Sequence, residues 1–395
     1  MPKKRGNNEG TIYKRPNGTW CGQITLGRKE DGKLKRLTFY GKTRQEVADK
    51  INKAINSYNA GVLVEPSQLT LGSWLNTWLF EYKKSSLRPS TLQSYEYLIR
   101  YHISPALGHY KLKELRPEHI QLFYNEKLKE GLSPRTVKYI HTLLHGALKQ
   151  AVKNNIVARN VTEATILPKQ SKKEIRVLSL EEQQRFLQAL EGERLKAAFI
   201  IALATGLRQG ELLALTWDNV DLKEGTIKVK RSLKRVKNFD PSIKKNTILI
   251  FQEPKTSSGI RIIPLPPAAI EELKEHRKKQ LEEKLKAGEV YEDNNLVFAT
   301  ELGKPIDPKN LDRKFKAIIK KANIDDINFH ALRHTYATRL LEANEHPKVV
   351  QEILGHKDIT TTLNIYSHVL PEVKKAAAMK INHLFEVDNK NKKSN

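Results

Sequence analysis

Apolar positions along the chain change period several times, and each change predicts a different element. Near the N-terminus, three short extended runs, Gly10–Lys14, Trp20–Leu26 and Leu34–Tyr40, are separated by Asn17-Gly18 and Asp31-Gly32. Both dipeptides favour tight hairpin turns because they tolerate positive φ. Thr43–Ala60 then sets Val47, Ile51 and Ile55 on one helical stripe. The pattern predicts a small α+β domain, a three-stranded sheet plus a helix. Val62–Gln68, with Pro66, reads as a linker. Beyond it Leu71, Trp74, Leu75, Trp78, Leu79 and Tyr82 follow helical spacing. Arg88-Pro89-Ser90-Thr91 opens a second helix with Leu92, Tyr95, Ile99 and Ile103, and Pro117 a third. Ser133-Pro134 is a cap and first-turn pair for a fourth, which carries Val137, Ile140, Leu144 and Leu148. Residues 69–160 are thus expected to form an all-α, four-helix domain.

A second linker, Pro168–Ile175, leads to a region that is mainly α with a small antiparallel sheet. Ser179 caps its first helix, with Glu181 and Glu182 in the favourable first turn. Leu195–Ala204 is an apolar helix that stops at Thr205-Gly206. Gly225–Lys230, Asn246–Glu253 and Ile260–Leu265 read as strands, the last two expected as a hairpin with Lys255 at its tip. Residues 231–245 read as a basic loop, and Glu271–Ala287 as a charged, solvated helix. Gly355 looks like the stop of a helix carrying Val349, Val350, Ile353 and Leu354, which sets His356 on a turn. Asp358 can cap a short helix ending near Tyr366. A last helix, Ala376–Phe385, and a disordered basic tail close the chain. The expected domains are 1–62, 63–172, 173–386 and the tail 387–395.

Charge changes the picture. Against 44 Asp+Glu stand 70 Lys+Arg, a formal net charge of +26 over 395 residues. Such an excess fits a polyanion, and nucleic acid is the commonest one. Residues 1–50 alone hold 13 Lys+Arg and 5 Asp+Glu, and a basic sheet of this size can enter a major groove. The lone Cys21 excludes an intrachain disulfide and suits a reducing cytosol. No apolar run approaches the roughly 18 residues a membrane span needs, and no apolar stretch of a secretory signal follows the first basic residues.

His330 and Arg333 lie three apart, on one face of a helix. A cationic helix face, a turn histidine and a tyrosine together suggest phosphate chemistry. Guanidinium groups grip phosphate oxygens in pairs and keep their charge, and tyrosine can act as a covalent nucleophile. Tyr366 also fits plain core, at i+3 from Leu363 and i+7 from Ile359. Arg208 and Glu211, three apart, allow the carboxylate to hold the guanidinium. His330-x-x-x-His334 has the spacing of a zinc helix, but position 331 is Ala, not Glu, and Arg333 repels a cation.

Five patches, in order, carry a resemblance. They are Thr205-Gly206-Leu207-Arg208-x-Gly210-Glu211-Leu212, Pro254-Lys255-Thr256-x-x-Gly259-x-Arg261-x-Ile263-Pro264-Leu265, His330-x-Leu332-Arg333-His334-Thr335, Leu354-Gly355-His356, and Tyr366. Together they resemble the tyrosine recombinases. With the sheet-plus-helix and helical regions in front, the chain is similar over nearly its whole length to the integrase subgroup of temperate phages and integrative conjugative elements. The basic stretch 231–252 is longer than in the simplest members.

The resemblance implies a division of labour. Tyr366 attacks a DNA phosphorus to form a 3′-phosphotyrosyl link and release a 5′-hydroxyl. Arg208 and Arg333 clamp the non-bridging oxygens, Lys255 protonates the leaving oxygen, His330 serves as base or relay, and His356 hydrogen-bonds the phosphate. Glu211 is a buttress. No cofactor and no metal are implied. The implied partners are double-stranded DNA at core and arm sites, and further copies of the chain in a homotetramer on DNA, with a place for a host DNA-bending protein and an excision factor. The implied setting is the cytoplasm of a bacterial host, where the enzyme integrates and excises a mobile element. Two rivals are a type IB topoisomerase-like enzyme and a catalytically silent DNA-binding protein. The arm-type first domain argues against the one, and the presence of all six residues against the other.

Overall fold

The computed structural model describes residues 10–28, 34–59, 69–170, 176–240, 242, 244–254, 259–366, 378–379 and 381. The Asp31-Gly32 turn, the whole of the first linker, Lys255, nearly all of the expected Ala376–Phe385 helix and the tail lie outside the described residues. The chain divides into two compact units, Met1–Ser171 and Lys172–Asn395.

The first unit begins with β1 (Thr11–Lys14), β2 (Trp20–Arg28) and β3 (Leu34–Gly41), antiparallel in the order β1-β2-β3. Helix α1 (Arg44–Asn59) covers the sheet. Its Val47 and Ile51 meet Ile24, with Ile12, Trp20, Leu37 and Phe39 around them. Gly22 permits the approach, because a Cβ there would stand 2.5 Å from both Ile51 Cδ1 and Val47 Cγ1.

Four helical stretches follow. The first is α2 (Leu71–Thr77), running on as a widened turn over Trp78–Lys83. The second joins α3 (Pro89–Leu98), a widened turn at Ile99–Ile103 and α4 (Ser104–Leu107). The last two are α5 (Pro117–Lys129) and α6 (Pro134–Lys153). Thr70 and Ser133 cap α2 and α6 by accepting from the backbone N–H of Ser73 and Thr136, donors that a helix start leaves unpaired. Trp74, Trp78, Phe123 and Leu144 are buried between the helices, and the Trp74 indole N–H donates to the Ala147 carbonyl at 2.9 Å.

The second unit holds α7 (Leu180–Ala189), capped by Ser179 and Glu182, then α8 (Lys196–Thr205) and α9 (Gln209–Leu213). Strands β4 (Val220–Asp221), β5 (Thr226–Val229), β6 (Ser232–Lys237), β7 (Thr247–Gln252) and β8 (Arg261–Pro264) come next. The helices α10 (Pro267–Ala287), α11 (Pro308–Lys321), α12 (His330–Glu342), α13 (Pro347–Leu354) and α14 (Ile359–Tyr366) complete it. Phe186, Phe199, Phe315 and Phe329 meet ring to ring at the centre.

Three expectations are corrected. Strands β7 and β8 do not form a hairpin with each other: β7 pairs with β6, and β8 pairs with β5. The pairing of β8 with β5 sets Ile263 opposite Ile227, both fully buried, and two β-branched side chains across a strand pair stabilise it. Residues 231–245, expected as loop, contain β6. Its buried Leu233 and Val236 lie three apart among Lys234, Arg235 and Lys237, which hides the two-residue period. Helix α10 is not wholly solvated either. Ala269, Leu273, His276 and Gln280 form a buried stripe, disguised because His276 and Gln280 satisfy themselves on the carbonyls of Leu296 and Val297.

Candidate active site

The site grows from the ends of two helices. Helix α8 is apolar almost throughout and stops where Gly206 turns left-handed, φ +63°. A Cβ at Gly206 would also stand 2.7 Å from Leu354 Cδ2 and Tyr336 Cδ1, so only glycine meets both demands. The chain then presents Arg208 at the start of α9. The Arg208 backbone N–H donates to Glu211 Oε2 at 3.1 Å, and its guanidinium donates to Oε1 at 2.7 Å. Gly210 lets α9 lie against β6, since a Cβ would come 2.4 Å from Ser232 Oγ and 2.7 Å from the Leu233 carbonyl oxygen.

Helix α13 ends at Gly355, also left-handed at φ +65°. A helix leaves its last carbonyls without intrahelical partners. Here three consecutive ones are taken by three arginines: Ile353 O accepts from Arg261 Nε at 2.7 Å, Leu354 O from Arg333 at 2.7 Å, and Gly355 O from Arg208 at 3.2 Å. The partial negative charge of a helix C-terminus favours cations there. Arg333 reaches back as well, donating to Gly206 O at 2.8 Å, so one guanidinium ties the ends of α8 and α13 together.

Glu211 faces this cluster as its carboxylate. It accepts from Arg208 and, at 2.8 Å, from Arg261. Burial works to raise its pKa, but hydrogen bonds and charge from Arg261 and Arg208 overcome that and hold it at about 2. Arg333 is only 2% exposed. Burial, reinforced by the charge of Arg208, lowers its pKa to about 9, so it stays a cation at neutral pH.

His330 opens α12 and stands edge-on to the His334 ring, centroids 4.6 Å apart. Loss of solvent on its packed side, then the charges of Arg333 and Arg208, push its pKa down. His356 sits in the turn after Gly355, where Gln351 pins it: the His356 N–H donates to Gln351 O and Gln351 Nε2 to His356 O. Burial, followed by Arg333 and Arg208, holds its imidazole at about 3. The Nδ1 atom lies 2.9 Å from Thr362 Oγ1. Asp358 caps α14 by accepting from the Thr360 N–H at 2.8 Å and from its hydroxyl at 2.6 Å.

Four of the six residues expected from sequence therefore gather at one place: Arg208, His330, Arg333 and His356. Tyr366 is the last residue of α14, and its side chain, like the whole of Lys255, lies outside the described residues. A cavity of about 640 Å3 opens beside Arg208 and His330, walled by Ser232 and Lys234 on one side and Asp307 and Asn328 on another. Sequence reasoning gave no role to Arg261, although a signal existed. Arg261 and Ile263 are alternate residues of one strand, and both are buried, so the arginine occupies an inward position. Fixed guanidinium groups beside neutral imidazoles suit an anionic tetrahedral group held by directed hydrogen bonds.

The site can be set beside known proteins. Residues 176–372 match the model of the phage integrase family, and residues 70–128 that of the phage integrase N-terminal SAM-like domain. A tyrosine recombinase XerC-like protein of Caldanaerobacter subterraneus subsp. tengcongensis is 40% identical over 372 residues, 92% of this chain and 95% of its own. Among solved structures, the Tn1549 transposon integrase in complex with a circular intermediate DNA superposes with a TM-score of 0.64 at 22% identity, over 78% of this chain and 99% of that one. A lambda integrase tetramer bound to a Holliday junction gives 0.54 at 23% identity, over 88% and 96%.

Proposed function

The chain belongs to the phage integrase family of tyrosine recombinases, and from that premise we propose which residues carry its chemistry and on what it acts. It is a site-specific recombinase, an enzyme that cuts and rejoins DNA strands through a tyrosine. In our reading Tyr366 is that tyrosine. Its oxygen forms a bond to phosphorus as the bond from phosphorus to the 5′-oxygen breaks. The phenolic proton passes to His330, whose pKa burial and then its arginine neighbours hold below the ordinary imidazole range, which favours the neutral, accepting form. The leaving 5′-oxygen takes a proton from Lys255. Arg208 and Arg333 hold the non-bridging oxygens as charge gathers on them, and His356 donates a further hydrogen bond. Rejoining runs the same steps backwards with a 5′-hydroxyl from another strand.

The observation that carries this reading is the convergence of Arg208, Arg333, His330 and His356 on the turn that leads into α14, the helix that ends on Tyr366. The further proposals follow the family. Residues 1–62 bind arm sites, while 63–172 and 173–386 clamp the core site. Four copies act together on DNA in the cytoplasm of a bacterial host, to move a mobile element, with a host DNA-bending protein and an excision factor as accessory partners. Among the described residues no helix is long and apolar enough to cross a membrane.

The test uses a nicked duplex carrying the junction of the element that encodes the chain. Wild type is expected to give a covalent protein–DNA adduct on a denaturing gel, and Tyr366→Phe none. An adduct of equal yield in the variant would remove Tyr366 from its role. Strand exchange between paired sites separates recombination from relaxation alone.

A further inference from the structure

We propose that Thr362 sets the tautomer of His356, so that the imidazole presents Nε2–H, a neutral hydrogen-bond donor, to the DNA phosphate. The inference rests on the reading of His356 as a phosphate contact and goes one step behind it.

The argument begins with a buried hydroxyl. Thr362 is fully buried, and a buried O–H left without an acceptor is destabilising. Inside a helix a threonine ordinarily donates to the carbonyl four residues back. Thr77, Thr142, Thr205 and Thr335 all do so here, to Ser73, Lys138, Ile201 and Ala331. Thr362 does not. Among the described residues its side chain makes one hydrogen bond, to His356 Nδ1 at 2.9 Å. Its proton therefore points at Nδ1, which must be bare to accept it. A neutral imidazole has one N–H, so the proton resides on Nε2.

The neutral form is the relevant one, because burial and the neighbouring arginines hold His356 far below its ordinary range. With the other tautomer, Nε2 would turn a lone pair toward phosphate oxygens and repel them. Thr362 is thus a positioning residue that acts through His356. It lies one helical turn before Tyr366 on α14, so the same bond fixes the turn that carries His356 to the helix that carries the nucleophile.

The test uses the full chain, with the nicked junction duplex as probe. Thr362→Val keeps the shape and removes the hydroxyl, and Thr362→Ser keeps the hydroxyl. We expect Thr362→Val to slow single-turnover cleavage about 10-fold or more, as loss of an orienting partner does elsewhere, with duplex affinity unchanged and Thr362→Ser close to wild type. Nitrogen-15 spectra of histidine-labelled protein, with the His356 signals identified through His356→Gln, should show Nε2–H in wild type and Thr362→Ser, and a mixture in Thr362→Val. A proton on Nδ1 in wild type overturns the proposal, as does full-speed cleavage by Thr362→Val. The His356→Leu rate keeps the two ideas apart, because leucine has no N–H to donate. If that variant cleaves at wild-type speed, the phosphate contact itself falls. If it is slow while Thr362→Val is fast, only the tautomer assignment falls.

Discussion

Each unit of the chain buries a polar cluster, and the two close differently. In the helical region Asn160 Nδ2 donates to His145 Nδ1 at 3.1 Å, Thr162 donates to Asn160 Oδ1 at 2.7 Å, and the Tyr124 hydroxyl lies 3.1 Å from His141 Nδ1. Amide, hydroxyl and imidazole answer one another, and among the described residues no lysine, arginine or carboxylate hydrogen-bonds into the group. In the second unit Glu211 is, among the described residues, the one carboxylate that Arg208, Arg261 and Arg333 face. Their other partners are peptide carbonyls, which supply dipoles but no charge. The first cluster is complete as it stands. The second sets three guanidinium groups against one carboxylate, a positive excess; Arg333 is depressed to about 9 by burial first and by the charge of Arg208 second. Polar burial that serves the fold balances internally; polar burial that serves a ligand leaves its balance to the ligand.

Four measurements press on this contrast. The largest effect is expected from Arg333→Gln, which should lower cleavage about 1,000-fold, as loss of a transition-state donor does, while duplex affinity changes only a few-fold. If cleavage fell less than tenfold, the excess charge would not be functional. Next comes Glu211→Gln. The Glu211 carboxyl is pulled from 4.5 to about 2 and is mostly buried, which corresponds to about 3 kcal/mol of stability. A depressed carboxyl stabilises above its unfolded pKa. The gap between wild type and variant in thermal unfolding should thus be full above pH 4.5 and close as pH falls toward 2. A gap that persists at pH 2 would mean that Glu211 acts by shape.

In the helical cluster, Asn160→Ala should cost about 1–3 kcal/mol of stability and leave single-turnover cleavage of saturating duplex unchanged. A large loss of rate would erase the distinction between the two clusters. The smallest effect is a displacement on the pH axis. His330 is held below its ordinary 6.5. As a base it is active when neutral, so the midpoint of the acid-side decline in kcat/KM, which follows the free enzyme, should fall below pH 6.5. A decline with its midpoint above pH 6.5 belongs to another group.

Much of this was legible in advance, for identifiable reasons. Periodicity found the first sheet and α1, the four helical stretches, and the stops at Gly206 and Gly355, because each follows from local spacing or a local φ requirement. It found β7 and β8 as strands but missed β6 and the pairing, which depends on which distant strand offers Ile263 a buried partner. It failed on α10 because histidine and glutamine there satisfy carbonyls that no local pattern announces. At the site, the motif spacing gave Arg208, His330, Arg333 and His356. The anchors were invisible, since a peptide carbonyl has no letter of its own.

Substitution can delete a side chain, but it cannot delete a peptide oxygen. At positions 353 and 354 drift alters packing and leaves the acceptors of Arg261 and Arg333 in place. The vulnerability moves to the two glycines whose left-handed turns aim those oxygens, Gly206 and Gly355. Inactive descendants of this gene should therefore carry lesions at these two glycines more often than at the residues whose oxygens do the holding.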